Sequence, residues 1–341
     1  MAGQAVTDWT APGAFEVAPG VHRIPLPLPS DALRAVNVYA IQDAGGLILI
    51  DSGWALALAR DSLEAALAGL GLGLGDIARF LITHVHLDHY TQAVMLRREF
   101  GMRLSLGIGE RPSLDLWSNG LEQRLAPQLR RLRRCGGAPL ADRLQETVSR
   151  RPPGEKIWEL PDDWLAPGDI TLAARILQAI PTPGHTRGHL CFRDAAGGLL
   201  FSGDHVLPHI TPSIGFEPAL AILPLGDYLQ SLRLIRELPD AALLPAHGPP
   251  APSVHARVDE LLAHHAVRLE AAERAVSRGA ATAFEVAGLL TWTRRERALT
   301  DLDEYSQMLA VLEAAAHLDV LVTQHHLQAK ENDGVTGYLP A

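Results

Sequence analysis

Cysteine is scarce: the 341 residues hold only Cys135 and Cys191, far apart and outside any CxxC pattern. A disulfide framework and a thiolate zinc site are thereby excluded, and both cysteines read as ordinary structural residues. The sequence also lacks an uninterrupted apolar run of bilayer length, so no membrane span and no membrane partner are expected. Its opening stretch, MAGQAVTDWTAPGAFEVAPG, has neither the basic start nor the apolar core of a secretory signal, and a cytoplasmic location is expected. Positive charge is in short supply as well. The formal net charge of −9 argues against broad attraction to nucleic acid or to an anionic membrane.

What remains is a globular composition, 47% hydrophobic and 20% charged, in a length that suits one large domain and a smaller one. GVHRIPLPLP, VNVYAIQ and GLILIDSG are rich in Val, Ile and Leu and bounded by turn residues, which predicts consecutive strands. Residues 56–70 (LALARDSLEAALAGL) place apolar residues at helical spacing, and IARFLITH then reads as a buried strand. The order strand, strand, helix, strand is that of a layered α/β domain. YTQAVMLRREF reads as a helix and MRLSLGIG as the next strand. Amphipathic stretches over about 112–164 predict a helical insertion able to cover a site, and its basic run RRLRRC reads as a solvated helix face. Strand-like segments return at ITLAARILQAI, HLCFRD, GLLFSGDH and ALLPAHG, with a helix over 227–238. The Pro-rich HGPPAPS marks a boundary between residues 1–252 and a mainly helical segment, 253–341. That segment is predicted to hold helices over 254–278 and 304–317 and a hairpin turning at Asp333-Gly334.

The most informative stretch is ITHVHLDHY. In His84-x-His86-x-Asp88-His89 the i, i+2 spacing after a strand lets two imidazoles point the same way while the next residues reach across the turn. Imidazole and carboxylate both present a lone pair to a divalent ion, so the spacing suits two metals sharing one loop at a strand end. Three more segments end apolar runs in ligand-type residues: His185 in PTPGHTRGH, Asp204 in FSGDH and His247 in LPAHG. All four could converge on one edge of a sheet.

The succession THVHLDH, PTPGHT, SGD and AHG, with LILIDSG upstream, resembles the metallo-beta-lactamase superfamily of metal-dependent hydrolases over roughly residues 18–250. The resemblance implies an α/β fold, a four-layer αββα sandwich with two sheets face to face and helices outside. It implies His84, His86 and His185 as ligands of one metal, Asp88, His89 and His247 as ligands of a second, and Asp204 as the bridge. Two Zn2+ ions are the expected cofactors, with Fe or Mn as alternatives. Such a pair acidifies a water between the metals, giving a hydroxide to attack an ester, thioester, lactone or amide of a small-molecule substrate. Asp88 is the catalytic candidate because it binds metal and is placed to orient the nucleophile or accept its proton. Asp51 reads as a carboxylate that fixes a ligand imidazole or the loop backbone. Thr186 and His189 are supporting candidates beside His185, and Tyr90, His205 and His209 are candidates for lining the substrate pocket.

Other readings stay open. A nuclease or phosphodiesterase acting on RNA or DNA uses the same ligands but needs a basic surface, and a mononuclear-iron dioxygenase uses the same His and Asp types. The C-terminal segment, with FEVAGLLTW, YSQMLAVLEAAAHL and the terminal hairpin, resembles the small winged-helix domains appended to some hydrolases of this superfamily. A nucleic-acid reader is basic on its recognition face, whereas residues 253–341 hold eight Lys plus Arg against thirteen Asp plus Glu. Packing or homodimerisation is therefore the favoured role of that segment.

Overall fold

Strands that are apolar on both faces need a cover on each side, and here they build two stacked sheets. The computed structural model describes residues 8–28, 33–118, 121–150 and 157–341; the expectations for residues 119–120 and 151–156 of the insertion lie outside the described residues. The first sheet runs in chain order: β1 (Phe15–Ala18), β2 (Val21–Pro27), β3 (Ala35–Asp43), β4 (Gly46–Ile50), β5 (Ile77–Ile82), β6 (Arg103–Gly107) and β7 (Asp163–Leu165). Its pairs are antiparallel up to β4 and parallel from β4 onward. The second sheet holds β8 (Gly168–Thr171), β9 (Ile176–Pro181), β10 (Leu190–Asp194), β11 (Leu199–Gly203) and β12 (Ala242–Pro245), in reverse order across the sheet.

The helices are α1 (Ala57–Ala68), α2 (Leu87–Phe100), α3 (Arg111–Trp117), α4 (Leu121–Arg134), α5 (Ala138–Ser149), α6 (Pro224–Glu237), α7 (Val254–Ser277), α8 (Ala283–Leu289) and α9 (Glu304–Thr323). Side-chain alternation decides which layer each strand residue joins. On β3, Val36, Val38 and Ala40 pack with residues of α1 and α2, while Tyr39 and Ile41 face the second sheet. On β10 and β11, Leu190, Phe192, Leu199 and Phe201 fill that same inter-sheet core, and Cys191 and Leu200 face α6 and α7. The result is an αββα sandwich. Full burial of a side chain such as Phe192 or Phe201 stabilises it by about 1.5–3 kcal/mol.

The insertion and the C-terminal segment share a separate core. Leu129, Leu132, Leu140 and Leu144 pack with Val286, Met308, Val311 and Leu318. The chain ends in a hairpin of β13 (Leu327–Asn332) and β14 (Val335–Pro340), turned at Asp333 (φ 48°) and Gly334 (φ 77°), the left-handed pair that a two-residue hairpin turn requires. The absence of a bilayer-length apolar run meets one exception. Helix α9 has 20 residues and a mean hydropathy of 1.2, enough by length and composition, but it is a buried core helix with His317 and Asp319 on its length.

Three local expectations change. ITLAARILQAI is not one strand but the antiparallel pair β8–β9, because Leu172 N–H donates to the Arg175 carbonyl at 2.9 Å and closes a turn. FEVA and DWL form the edge strands β1 and β7, too short for alternation to register. The helix after the histidine cluster begins at Leu87 rather than Tyr90, with His86 at its N-cap in extended backbone. Asp88 and His89 therefore lie in the first helical turn, where the helix dipole favours the Asp88 carboxylate.

Candidate functional site

The ligand-type residues gather where strands of both sheets end. His84 and His86 follow β5, Asp51 follows β4, Asp204 follows β11, His247 follows β12, and His185 lies between β9 and β10. Hydrogen bonds between and within the sheets lock this edge. Asn37 Nδ2 donates to the carbonyls of Pro245 and Gly248 at 2.9 and 2.8 Å, and the Tyr39 hydroxyl donates to Pro245 at 2.8 Å. Leu190 N–H donates to the Thr83 carbonyl at 2.8 Å, and Ala246 N–H to that of Gly203 at 3.1 Å.

Two ligand sets result. In the first, His86 Nδ1 lies 2.9 Å from His84 Nε2 and 3.0 Å from His185 Nε2, with Asp204 Oδ2 3.9 and 3.5 Å from those two Nε2 atoms. In the second, His247 Nε2 lies 3.3 Å from Asp88 Oδ2 and 3.3 Å from Asp204 Oδ1, and His89 Nε2 lies 3.7 and 3.6 Å from the same oxygens. One carboxylate, Asp204, turns an oxygen to each set.

The far nitrogens of four of these rings are already committed, while that of His86, Nε2, is buried without a partner. His84 Nδ1 pairs with Thr83 Oγ1 at 3.1 Å, His89 Nδ1 with Asp51 Oδ2 at 2.8 Å, His185 Nδ1 with the Ser213 carbonyl at 2.8 Å and His247 Nδ1 with the Ala35 carbonyl at 2.8 Å. In the neutral ring each of these Nε2 atoms thus presents a lone pair. Lone pairs facing one another at about 3 Å repel unless a cation lies between them. His89 Nε2, His247 Nε2 and Asp204 Oδ1 are buried without a hydrogen-bond partner. Imidazole and carboxylate donors, four of the five rings held by their outer nitrogens and the inner atoms of the second set orphaned, fit divalent metal ions.

Supporting contacts hold the donors. Asp51, at φ 60° in left-handed backbone, accepts from Thr83 N–H at 2.8 Å and from the Thr83 hydroxyl at 3.0 Å while gripping His89. His189 joins Thr182 Oγ1 at 2.8 Å through Nδ1 and accepts the Asp204 N–H at 3.2 Å on Nε2. Gly203 precedes Asp204 at φ 51°, and a Cβ there would stand 2.7 Å from both His189 Nε2 and Thr83 Oγ1, so only glycine fits.

Burial, reinforced by the neighbouring imidazoles, lowers the pKa of His84 and His86 well below the usual value and lowers that of His185. Burial acts the same way on His89, but Asp88, Asp51 and Asp204 outweigh it and raise its pKa to about 10. Burial likewise opposes charge on His247, yet Asp204 and Asp88 raise it. The negative field that holds those protons is the one a metal cation would meet.

Pocket lining does not hold for two candidates. Tyr90 is fully buried in the helix-side core, stacked with Trp158 at 6.1 Å, and its hydroxyl donates to the Glu159 carbonyl at 2.6 Å. His205 is fully buried against Tyr228 and His189, and burial lowers its pKa to about 3. His209 is exposed, with its ring near Gly248 and hence beside His247. The Thr186 hydroxyl donates to Glu110. Residues that sequence reasoning missed include Trp117 and Phe216, whose rings lie 5.5 and 6.4 Å from that of His86. The carbonyls of Ser213 and Ala35 were also missed, since a backbone oxygen leaves no side-chain signal.

Comparison with known proteins agrees with this geometry. The family model described as the metallo-beta-lactamase superfamily matches residues 31–247, which contain every ligand candidate. A probable metallo-hydrolase, YqjP, from Bacillus subtilis (strain 168) is 26% identical over 310 residues, covering 88% of this chain and 90% of its own. The crystal structure of a metallo-beta-lactamase family protein from Thermus thermophilus superposes with a TM-score of 0.77 at 28% identity, covering 96% of this chain and all of that one. An atrochrysone carboxyl ACP thioesterase from Aspergillus fumigatus is 24% identical over 220 residues, 64% of this chain and 39% of its own length. With the αββα sandwich, the convergent histidines and the matched span in agreement, this chain belongs to the metallo-beta-lactamase superfamily.

Proposed function

We propose that the protein is a hydrolase with two resident Zn2+ ions, iron or manganese being the alternatives, that cleaves an ester, thioester, lactone or amide bond of a small molecule. The observation that carries this reading is the Asp204 carboxylate, with one oxygen in each ligand set. His84 Nε2, His86 Nδ1, His185 Nε2 and Asp204 Oδ2 would hold one ion; Asp88 Oδ2, His89 Nε2, His247 Nε2 and Asp204 Oδ1 would hold the other. Bound divalent ions supply Lewis acidity and an acidified water.

The chain does the rest. Asp88 directs Oδ2 toward both His89 and His247, which leaves Oδ1 to orient the attacking water and take its proton. At 18% side-chain exposure it can meet a substrate. The half-buried Phe216 ring beside His86 offers an aromatic surface suited to an acyl or aromatic group, while Trp117 packs into the core. Among the four bond types the thioester ranks first, supported by the relative named as a thioesterase. The second ligand set favours this reading over a mononuclear-iron dioxygenase, and the net charge of −9 favours it over a nuclease. For the C-terminal segment we propose packing rather than nucleic-acid binding, supported by its common core with the insertion.

Zinc-loaded protein assayed with esters, thioesters, lactones, a chromogenic β-lactam and phosphodiesters tests the proposal. Turnover is expected with one of the first four classes and is expected to vanish in His86→Ala and Asp88→Ala. Turnover that survives both substitutions, or appears with phosphodiesters alone, would overturn it.

A further inference from the structure

Two glutamates outside both ligand sets lie buried directly behind the His185 loop. Glu110 is fully buried at the end of the short 3-10 turn after β6, and Glu217 is 4% exposed on the loop before α6. Glu110 Oε1 accepts from the Thr186 hydroxyl. Glu217 Oε1 accepts from Ser113 Oγ at 2.7 Å, and both its oxygens accept the Arg187 N–H at 3.0 Å. The amides of Val85 and Gly188 also face Glu110 and favour its charged form, but they do not reach hydrogen-bond geometry with Oε2, which is buried without a partner. Val85 stands between His84 and His86, and Thr186, Arg187 and Gly188 follow His185. The pair of acids therefore sits where the loops that carry the first ligand set meet.

Backbone contact at this point is close. A Cβ on Gly188 would lie 2.1 Å from the Glu110 nitrogen, and one on Gly109 would lie 2.7 Å from the Gly188 Cα. The loop that bears Glu217 also takes the His185 ring through the Ser213 carbonyl, so it holds that ligand by its side chain and by the backbone two residues on. Gln128 Nε2 donates to the Phe216 carbonyl at 2.7 Å and ties the same loop to α4. Burial, with the Glu217 charge beside it, pushes Glu110 well above the usual carboxylate range, and burial raises Glu217 to about 7. Two acids in so costly a place are accounted for by the directed bonds they make to the His185 loop.

We infer that Glu110 and Glu217 are positioning residues for the first metal site, holding the His185 loop against the His84–His86 loop. Their loss weakens metal binding at His84, His86 and His185 and spares the set formed by Asp88, His89 and His247. This inference rests on the metal-centre reading above.

The test uses the full-length protein stripped of metal and titrated with Co2+, followed by calorimetry and by the visible absorption of bound cobalt. Melting of the metal-free protein is recorded in parallel. The binding step that disappears in His86→Ala marks the first site. In Glu217→Ala that step is expected to weaken about 10–100-fold and its cobalt spectrum to change, with the other step unchanged. Glu217→Gln, which keeps one acceptor oxygen, is expected to recover most of the affinity. Thr186→Val, which replaces the hydroxyl with a methyl group, gives a smaller loss of the same step and carries the test if Glu217→Ala does not fold. Both steps unchanged, or both weakened in proportion to a lowered melting temperature, would overturn the inference. Wild-type protein that binds no cobalt would instead remove the metal-centre reading itself.

Discussion

Asparagine in place of Asp204 keeps the volume and removes the charge shared by both ligand sets. Metal content measured by plasma mass spectrometry is expected to fall from the two ions proposed above to one or none, with turnover down at least about 100-fold and the metal-free melting temperature unchanged. Asp51→Asn is a cleaner probe of support, because asparagine tolerates the left-handed backbone found there. It should weaken metal binding about 10–100-fold by depriving His89 of its carboxylate partner; equal affinity in a metal titration would deny Asp51 that role. The same scale shows what a sequence makes legible. His84, His86, His185, Asp204 and His247 stand out because each ends an apolar run in a residue type that strands seldom bury. Tyr90 misleads because one step along a helix rotates a side chain by about 100°, which carries it from the metal edge beside His89 into the core.

Among the elements, the contact between α7 and α9 contains a buried histidine pair. His265 Nδ1 and His317 Nε2 lie 3.1 Å apart with their rings stacked at 5.3 Å, and the His317 Nδ1–H donates to the Glu313 carbonyl at 2.8 Å. Burial lowers the pKa of His265 to about 2 and that of His317 to about 4. Both folded values lie below the unfolded value near 6.5, so the unfolded chain binds the extra protons first as pH falls. The stability linked to these residues is intact above about pH 6.5 and is lost as pH falls, down to about pH 4 for His317 and about pH 2 for His265, by up to about 1.4 kcal/mol per pH unit for each. A His265→Leu/His317→Leu double variant should lose less of its melting temperature than the wild type between pH 7 and pH 5. Parallel curves for the two proteins would show that the pair does not govern the acid limb. Period and turn chemistry made most elements readable, but β8 and β9 merged into one run because their turn, Leu172 to Arg175, contains no glycine or proline.

For the molecule as a whole, metal occupancy couples to folding, since ions held by the native ligands have no such site in the unfolded chain. Chelation is expected to lower the melting temperature, and restored zinc to raise it again. The gain corresponds to about 4 kcal/mol when free metal exceeds Kd a thousandfold, and identical melting curves with and without chelator would contradict it. The sandwich and the gathering of ligand-type residues at one edge were legible because the motifs sit at strand ends in a fixed order. The shared core of insertion and C-terminal segment was not, because periodicity reveals that a helix face is apolar without naming its partner.

That shared core has a consequence for how the protein is made. Arg131 of α4 meets Asp319 of α9, a partner 188 residues later in the chain. During synthesis from the N-terminus, the leucines of α4 and α5 leave the ribosome with nothing to cover them until the last quarter of the polypeptide follows. Because α4 also anchors the loop that aims His185, covering those leucines is expected to steady the ligand edge as well. A transcript truncated before α9 would yield a sandwich with greasy helices exposed, a substrate for chaperones and proteases.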